Sequence, residues 1–334
     1  TAVEERRERE QQRYRQMDVS SGAASAGQTE PEPSAEAVNT PELSDVPENT
    51  GTPEAAGAAE NYQAPLIRIL LTDNSKSGYY QESVTVSSSS AIHLEGSDLI
   101  IPAGTSETIT NGDGRFMDGK IVLTPEDPSA GITVSSLQKA QGPPVYEGSL
   151  EIDLTDQGIY LVNEVNLESY LKYVVPSEMP ASYAAEALKA QAVCARTYAY
   201  RQIQGNTYSQ YGAHVDDSTN FQVYNNTSAN DKSTQAVKET YGKMLFYEDK
   251  PIEAFYFSTS CGRTADAGVW GTDSGKYPYL RAVEIKEGGK SLGKEDNDGF
   301  ESYIKREDVI AYDTSYPMFR WQTDLPADVA SAQI

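Results

Sequence analysis

A single carboxylate set between two prolines, Val175-Pro176-Ser177-Glu178-Met179-Pro180, is the most chemically suggestive stretch of this sequence. Proline restricts the backbone on either side and holds an acid in one place. Apolar neighbours, here Met179 and Tyr183, raise the pKa of a carboxyl group, so that it stays protonated near neutral pH. Those are the requirements for protonating a glycosidic oxygen. A carboxylate at this position also complements the dipole of a following helix, and spacing alone leaves both readings open.

Other chemistries find less support. The chain has two cysteines, Cys194 and Cys261, and two histidines, His93 and His214. There is no CxxC pair and no disulfide framework. Neither histidine lies near a plausible serine motif for a Ser-His-Asp arrangement, and nothing close in sequence activates Cys261 as a nucleophile. Two separate buried thiols are expected, with a disulfide as the alternative. The formal net charge of -23 and pI near 4.4 exclude a nucleic-acid partner, which needs a basic surface. They also argue against anionic lipid headgroups. Neutral polymers such as glycans remain, and the 22 tyrosines suit sugar faces or, equally, a tyrosine-rich β structure.

Residues 1–61 open with a charged run and continue in Ala, Glu, Pro, Ser, Gly and Thr, with no aromatic between Tyr14 and Tyr62. Such a segment buries too little apolar surface to offset the entropy of ordering, so a disordered acidic spacer is expected there. No apolar run is long enough to span a membrane. The chain begins at Thr1 rather than Met, and an upstream signal or anchor is expected to be missing from it. Folded sequence starts near Tyr62. Strands are predicted at 66–71, 84–86, 99–101, 120–123 and 132–134, then a hairpin over 145–163 turning at Asp156-Gln157-Gly158. Asn166 caps a short helix that should stop before Pro176. A long Ala-rich helix follows from about Ser182 to Ile203, with Leu188, Ala192, Ala195 and Ala199 on one stripe. A helix over 231–241, strands at 244–247, 252–257 and 279–285, and a helix over 303–312 complete the pattern. Strands, then helices, then strands indicate an α+β domain: mixed, β-rich, with a central Ala-rich helix.

Several of these elements carry a recognisable series. Tyr146-x-Gly148-x-Leu150-Glu151-Ile152 is followed by Leu161-Val162-Asn163-x-Val165-x-Leu167-Glu168-x-Tyr170-Leu171, then by Val174-Val175-Pro176-x-Glu178-Met179-Pro180. Next come the run Glu186–Ala199, which reads EALKAQAV-x-ARTYA, and Gln222-Val223-Tyr224. Ser258-Thr259-Ser260-x-Gly262-Arg263-Thr264, Val269-Trp270-Gly271 and Pro278-Tyr279-Leu280 complete it. The series resembles the SpoIID/LytB family across most of 62–334, most strongly over 145–281.

The resemblance implies a peptidoglycan lytic transglycosylase acting on peptide-stripped glycan strands, with Glu178 as its catalytic residue. One carboxylate suffices for such an enzyme, whereas a hydrolase needs a second. The C6 hydroxyl of the muramic acid ring serves as internal nucleophile and yields a 1,6-anhydro end. Glu168 is expected to be structural and Glu186 to pair with Lys189. Lys189 and Arg196 are assigned to orienting or substrate-contact roles, with ion pairing as the alternative. Gln222, Tyr224, Ser258, Thr259 and Ser260 are candidates for hydrogen bonds to sugars, the last three competing with a turn that satisfies its own backbone.

The family resemblance also implies an extracytoplasmic location, tethered by an N-terminal anchor or signal, and cell-wall partners such as an amidase or sporulation proteins. LytB-type relatives support a second function, a non-catalytic enhancer of an N-acetylmuramoyl-L-alanine amidase. A pure glycan-binding scaffold is a third. Some sporulation members carry a His/Cys zinc site just before the QVY motif. Here His214, Asp216 and Asp217 stand in that stretch with no cysteine, so neither metal nor cofactor is expected. Family members also continue beyond the Phe319-Arg320-Trp321 region into a Gly-rich segment resembling GHGVGMSQ. That segment does not occur before Ile334, so the C-terminal part of the family domain is expected to be missing.

Overall fold

Alternation of apolar and polar residues along the strands decides which side of the sheet becomes the core. In a computed structural model, which describes residues 62–321 apart from 75–77, 272–273 and 293–296, the fold is mixed α+β with two larger sheets and four helices among the described residues. The spacer expected over 1–61 lies outside the described residues. Two compact units emerge: 62–246 with 250–254, and 247–249 with 255–321.

The first unit is built on a seven-stranded sheet in the order β11-β1-β10-β9-β6-β3-β4. These strands are β1 (Leu66–Leu70), β3 (Ile92–Leu94), β4 (Ile100–Ile101), β6 (Lys120–Pro125), β9 (Ser149–Thr155), β10 (Gly158–Asn166) and β11 (Val215–Asp216). All pairs are antiparallel except β1 with β11, which is parallel. On one face Ile67, Ile69, Leu161, Leu150, Ile152 and Leu123 are fully buried. The register sets Arg68 opposite Glu164 on the other face, and Arg68 also reaches Glu151, which Lys120 joins. Opposite charges directly across strands stabilise the pairing. A smaller sheet, β5-β2-β7-β8, comprises β2 (Ser83–Ser87), β5 (Ser106–Thr110), β7 (Ile132–Val134) and β8 (Val145–Tyr146). Gly148, between β8 and β9, has φ +80°, and a Cβ there would lie 2.2 Å from the Glu164 carbonyl oxygen. Only glycine fits that approach.

Strand β10 runs directly into helix α1 (Leu167–Glu178), which packs against α2 (Ala185–Ile203) and α3 (Asp231–Glu239). Asn166 caps α1 as expected: its Oδ1 accepts the Glu168 N–H at 2.9 Å. The predicted stop before Pro176 is corrected, because α1 continues through it to Glu178. Proline removes one helical donor, and side-chain and long-range bonds tie down the turn that follows. Ser177 Oγ donates to the Tyr173 carbonyl at 2.6 Å and accepts the Thr227 N–H at 3.0 Å.

The short strands β3 and β5, which the sequence pattern did not indicate, complete the two sheets. A two-stranded hairpin, β12 (Phe246–Tyr247) with β13 (Lys250–Pro251), lies between the two units in sequence.

Predictions for the second unit need the most correction. Residues 279–285 form only isolated bridges, Arg263 with Glu284 and Val283 with Ser291. The expected strand over 252–257 makes no ladder beyond Pro251. The expected helix over 303–312 is displaced to α4 (Asn297–Ile304). Arg306 instead grips Asp308 two residues on, a pairing that a helix places on different faces. No helix among the described residues is long and apolar enough to cross a membrane.

Candidate functional site

Glu178 is the last residue of α1 and is half-buried. Beyond it Met179 turns extended, and its N–H closes the helix on the Val175 carbonyl. One carboxylate oxygen, Oε1, accepts the Val223 N–H at 2.6 Å, a bond from a loop 45 residues away. A main-chain donor fixes the orientation of the side chain more firmly than a flexible side chain can.

The QVY motif supplies that donor, and two of its side chains lie in the interior. Gln222 and Tyr224 are buried, with Val223 half-buried between them. Gln222 Nε2 donates to the Ala195 carbonyl of α2 at 3.4 Å, and its Oε1 accepts from Tyr170 at 3.4 Å. The Tyr224 hydroxyl donates to Asn163 Oδ1 at 2.9 Å, and the ring lies against Tyr170 with centroids 4.7 Å apart. Burial pushes the Tyr224 hydroxyl well above the ordinary tyrosine pKa. Asn163 is itself fully buried and donates to the Glu147 and Ser149 carbonyls, each at 2.9 Å. The two side chains expected to meet sugars are thus interior supports that hold the Val223 N–H in register. Sequence reasoning missed this main-chain role, because a motif displays side chains and not the direction of an N–H.

Arg196 is likewise interior. Its side chain is 0% exposed and forks onto Glu168, with Nε to Oε1 at 2.7 Å and Nη2 to Oε2 at 2.8 Å. The carbonyls of Lys243 and Val237 accept its remaining donors at 3.1 and 3.2 Å. This is the ion-pair alternative, and burial corrects the expectation of substrate contact. Tyr62 also donates to Glu168, at 3.1 Å, and the hydroxyl's pKa is raised by burial and by that carboxylate. Lys189 remains at the surface, bonded to Glu186 and Glu239 at 2.7 Å each. Those hydrogen bonds hold its pKa above the usual lysine value.

Ser258, Thr259 and Ser260 belong to the second unit. Ser258 is exposed, Thr259 half-buried and Ser260 buried. The Ser260 N–H donates to Asp313 Oδ2 at 2.6 Å, and its Oγ accepts the Gly262 N–H at 2.8 Å, so this serine satisfies a local turn. Cys194 and Cys261 are free, half-buried thiols, and burial raises the pKa of Cys194.

The residues in the zinc position of some relatives do not form a metal cradle. His214 Nδ1 accepts the Arg68 N–H at 3.0 Å, and burial together with the Arg68 charge lowers its pKa. Asp216 Oδ2 takes the Tyr79 and Tyr208 hydroxyls at 2.9 Å each. Asp217 is occupied by Thr72 and by Lys139 Nζ at 2.6 Å. No group of three His, Cys, Asp or Glu side chains among the described residues could hold a metal ion.

With this geometry in view, the comparisons fall on the same segment. Residues 155–247, from the end of β9 to the end of β12, match the family profile SpoIID, described as stage II sporulation protein. The stage II sporulation protein D of Bacillus amyloliquefaciens is 38% identical over 168 residues, covering 46% of this chain and 48% of that protein. Its counterpart in Bacillus subtilis is 41% identical over 137 residues, covering 37% of this chain and 39% of the relative. The amidase enhancer of Bacillus subtilis is 38% identical over 163 residues, 48% of this chain and 21% of that protein. Over this segment the chain is similar to the SpoIID family. It spans about half, or less, of the length of these relatives.

Proposed function

We propose that this chain is a peptidoglycan lytic transglycosylase in which Glu178 is the acid and then the base. The observation that carries the reading is the Val223 N–H bond, which fixes a half-accessible carboxylate at the end of a helix. Of the neighbouring carboxylates, Glu168 is committed to Arg196 and Glu186 to Lys189. In the proposed step, the Glu178 carboxyl proton passes to the glycosidic oxygen as the C1–O bond breaks, and that bond's electron pair stays on the leaving oxygen. The muramic acid C6 oxygen then bonds to C1, and its proton returns to Glu178. Nothing is oxidised or reduced, and no water is consumed. Because one residue serves both transfers, a second carboxylate is unnecessary.

Such a substrate lies on the wall side of the membrane, so the same reading places the chain there. The test is incubation with peptide-stripped glycan strands and detection of 1,6-anhydro-muramic ends by mass spectrometry. Wild-type protein should produce them and Glu178→Gln should fall by at least about 100-fold. Equal product from both proteins would remove Glu178 from this role.

Similarity to an amidase enhancer supports a second reading, a non-catalytic regulator of a cell-wall amidase. In that case the strands would yield no anhydro ends, and adding the chain would accelerate an N-acetylmuramoyl-L-alanine amidase on intact peptidoglycan.

A further inference from the structure

The loop that anchors Glu178 has a second side. After Val223 bonds to Glu178, the chain supplies Asn225, Asn226, Ser228 and Ala229 to one wall of a cavity of about 310 Å³. The opposite wall is the segment 141–145, and Tyr173, one turn before Ser177 on α1, joins the lining. The whole cavity lies within the first unit. Its walls are tied together. Asn225, at φ 60°, donates through Nδ2 to the Val145 carbonyl at 2.7 Å, and the Thr227 N–H donates to Ser177. The space is therefore pre-formed.

We propose that this cavity holds one N-acetylglucosamine unit of a glycan strand, an assignment that rests on the glycan reading of the Glu178 site. Its volume sits at the small end of ligand pockets, which run roughly 300–1,000 Å³, so one sugar unit fits better than several. The lining holds one charged residue, Lys139, whose charge is matched by Asp217 at 2.6 Å. An anionic sugar would find no unpaired cation, which favours the neutral unit of the strand over the lactyl-bearing one.

Two amides supply the polar contacts. Gln141 Oε1 accepts the Ser228 N–H at 2.9 Å, and Asn226 Oδ1 accepts the Ala140 N–H at 3.2 Å. Backbone donors fix which end of each amide is oxygen. Both NH₂ groups are left as donors suited to a sugar hydroxyl or an acetamido carbonyl. Pro143, Pro144 and the Tyr173 ring supply apolar surface for the acetamido methyl and the ring C–H groups. Segment 141–145 precedes residues 155–247, the part that matches the family profile.

The test uses the full chain carrying Glu178→Gln, so that ligand is not consumed, titrated calorimetrically with a neutral trimer of N-acetylglucosamine. Gln141→Glu and Asn226→Asp retain the acceptor that receives the backbone N–H, and replace the NH₂ donors with an anionic oxygen that only accepts. Each should weaken binding about tenfold. Ala229→Trp, at an exposed lining position, should weaken it at least as much by filling the mouth. Cellotriose, which lacks acetamido groups, should bind at least about tenfold more weakly than the N-acetylated trimer. The proposal is overturned if the Glu178→Gln parent binds no trimer, if the three further variants bind as the parent does, or if cellotriose binds equally well. Anhydro-end formation by wild-type protein is scored separately. Trimer binding lost in these variants without any anhydro product would refute the enzyme and leave the cavity assignment standing.

Discussion

The two ends of helix α1 each hold a glutamate, and they hold it by opposite means. At the first turn Glu168 is buried, with both oxygens taken by the Arg196 guanidinium and a tyrosine hydroxyl added. At the last turn Glu178 is half-buried and held through Oε1 by a main-chain N–H. A bidentate pair with arginine fixes a carboxylate in its place in the interior. A backbone donor on one oxygen positions the group, and the half-buried side chain stays within reach of solvent and ligand. One helix thereby separates a structural acid from the acid proposed to do chemistry, ten residues apart in sequence.

The sharpest test of this contrast compares the same substitution at both ends. Glu178→Gln should cut anhydro-end formation by about 100-fold or more, with the thermal midpoint close to wild type. Glu168→Gln should do the reverse in kind. It leaves Arg196 as an uncompensated buried charge, and breaking such a pair costs about 3–5 kcal/mol. Its urea midpoint should therefore drop, and any folded fraction should retain its specific activity. Equal destabilisation from both substitutions, measured by urea unfolding, would erase the distinction between the ends.

A smaller effect is expected at the support beneath Glu178. Tyr224→Phe deletes the hydroxyl that Asn163 Oδ1 accepts and leaves that oxygen buried without this partner. The expected cost is about 1–3 kcal/mol of stability by urea unfolding. Because Tyr224 adjoins the residue whose N–H anchors Glu178, turnover should fall with little change in KM. A changed KM at constant kcat would instead return Tyr224 to the sugar-contacting role read from sequence.

What was legible in the sequence divides along the same line. The strand pattern around 66–70, 120–125 and 149–166, the Asn166 cap and the Ala-rich helix were readable because short apolar runs between turn residues, a capping side chain and helical spacing are local signals. Pro176 misled: a local rule ended the helix, and bonds from Thr227 and Val223, far along the chain, kept it going. Glu178 could be singled out by its two prolines, but its anchor could not, since an N–H has no side-chain signature. Gln222 and Tyr224 were legible as candidate sugar contacts, and Arg196 as either a substrate contact or an ion pair, because polarity alone does not say whether a partner waits inside. In the second unit the apolar run 279–285 reads as a strand, yet it finds only single bridges.

The smallest expected effect concerns Lys189, the remaining cation proposed near the site. It is bonded to Glu186 and Glu239 at the surface, an arrangement in which solvent and salt screen most of the attraction. If α1 alone divides structural from chemical roles, Lys189→Met should leave the thermal midpoint and anhydro-end formation indistinguishable from wild type. The check is sharpest at low ionic strength, where any electrostatic help to substrate binding would be largest. A rise in KM that disappears on adding salt would make Lys189 a substrate-orienting charge. A loss of kcat that salt does not alter would place it beside the reacting atoms, and the division between the two ends of α1 would no longer account for the chemistry by itself.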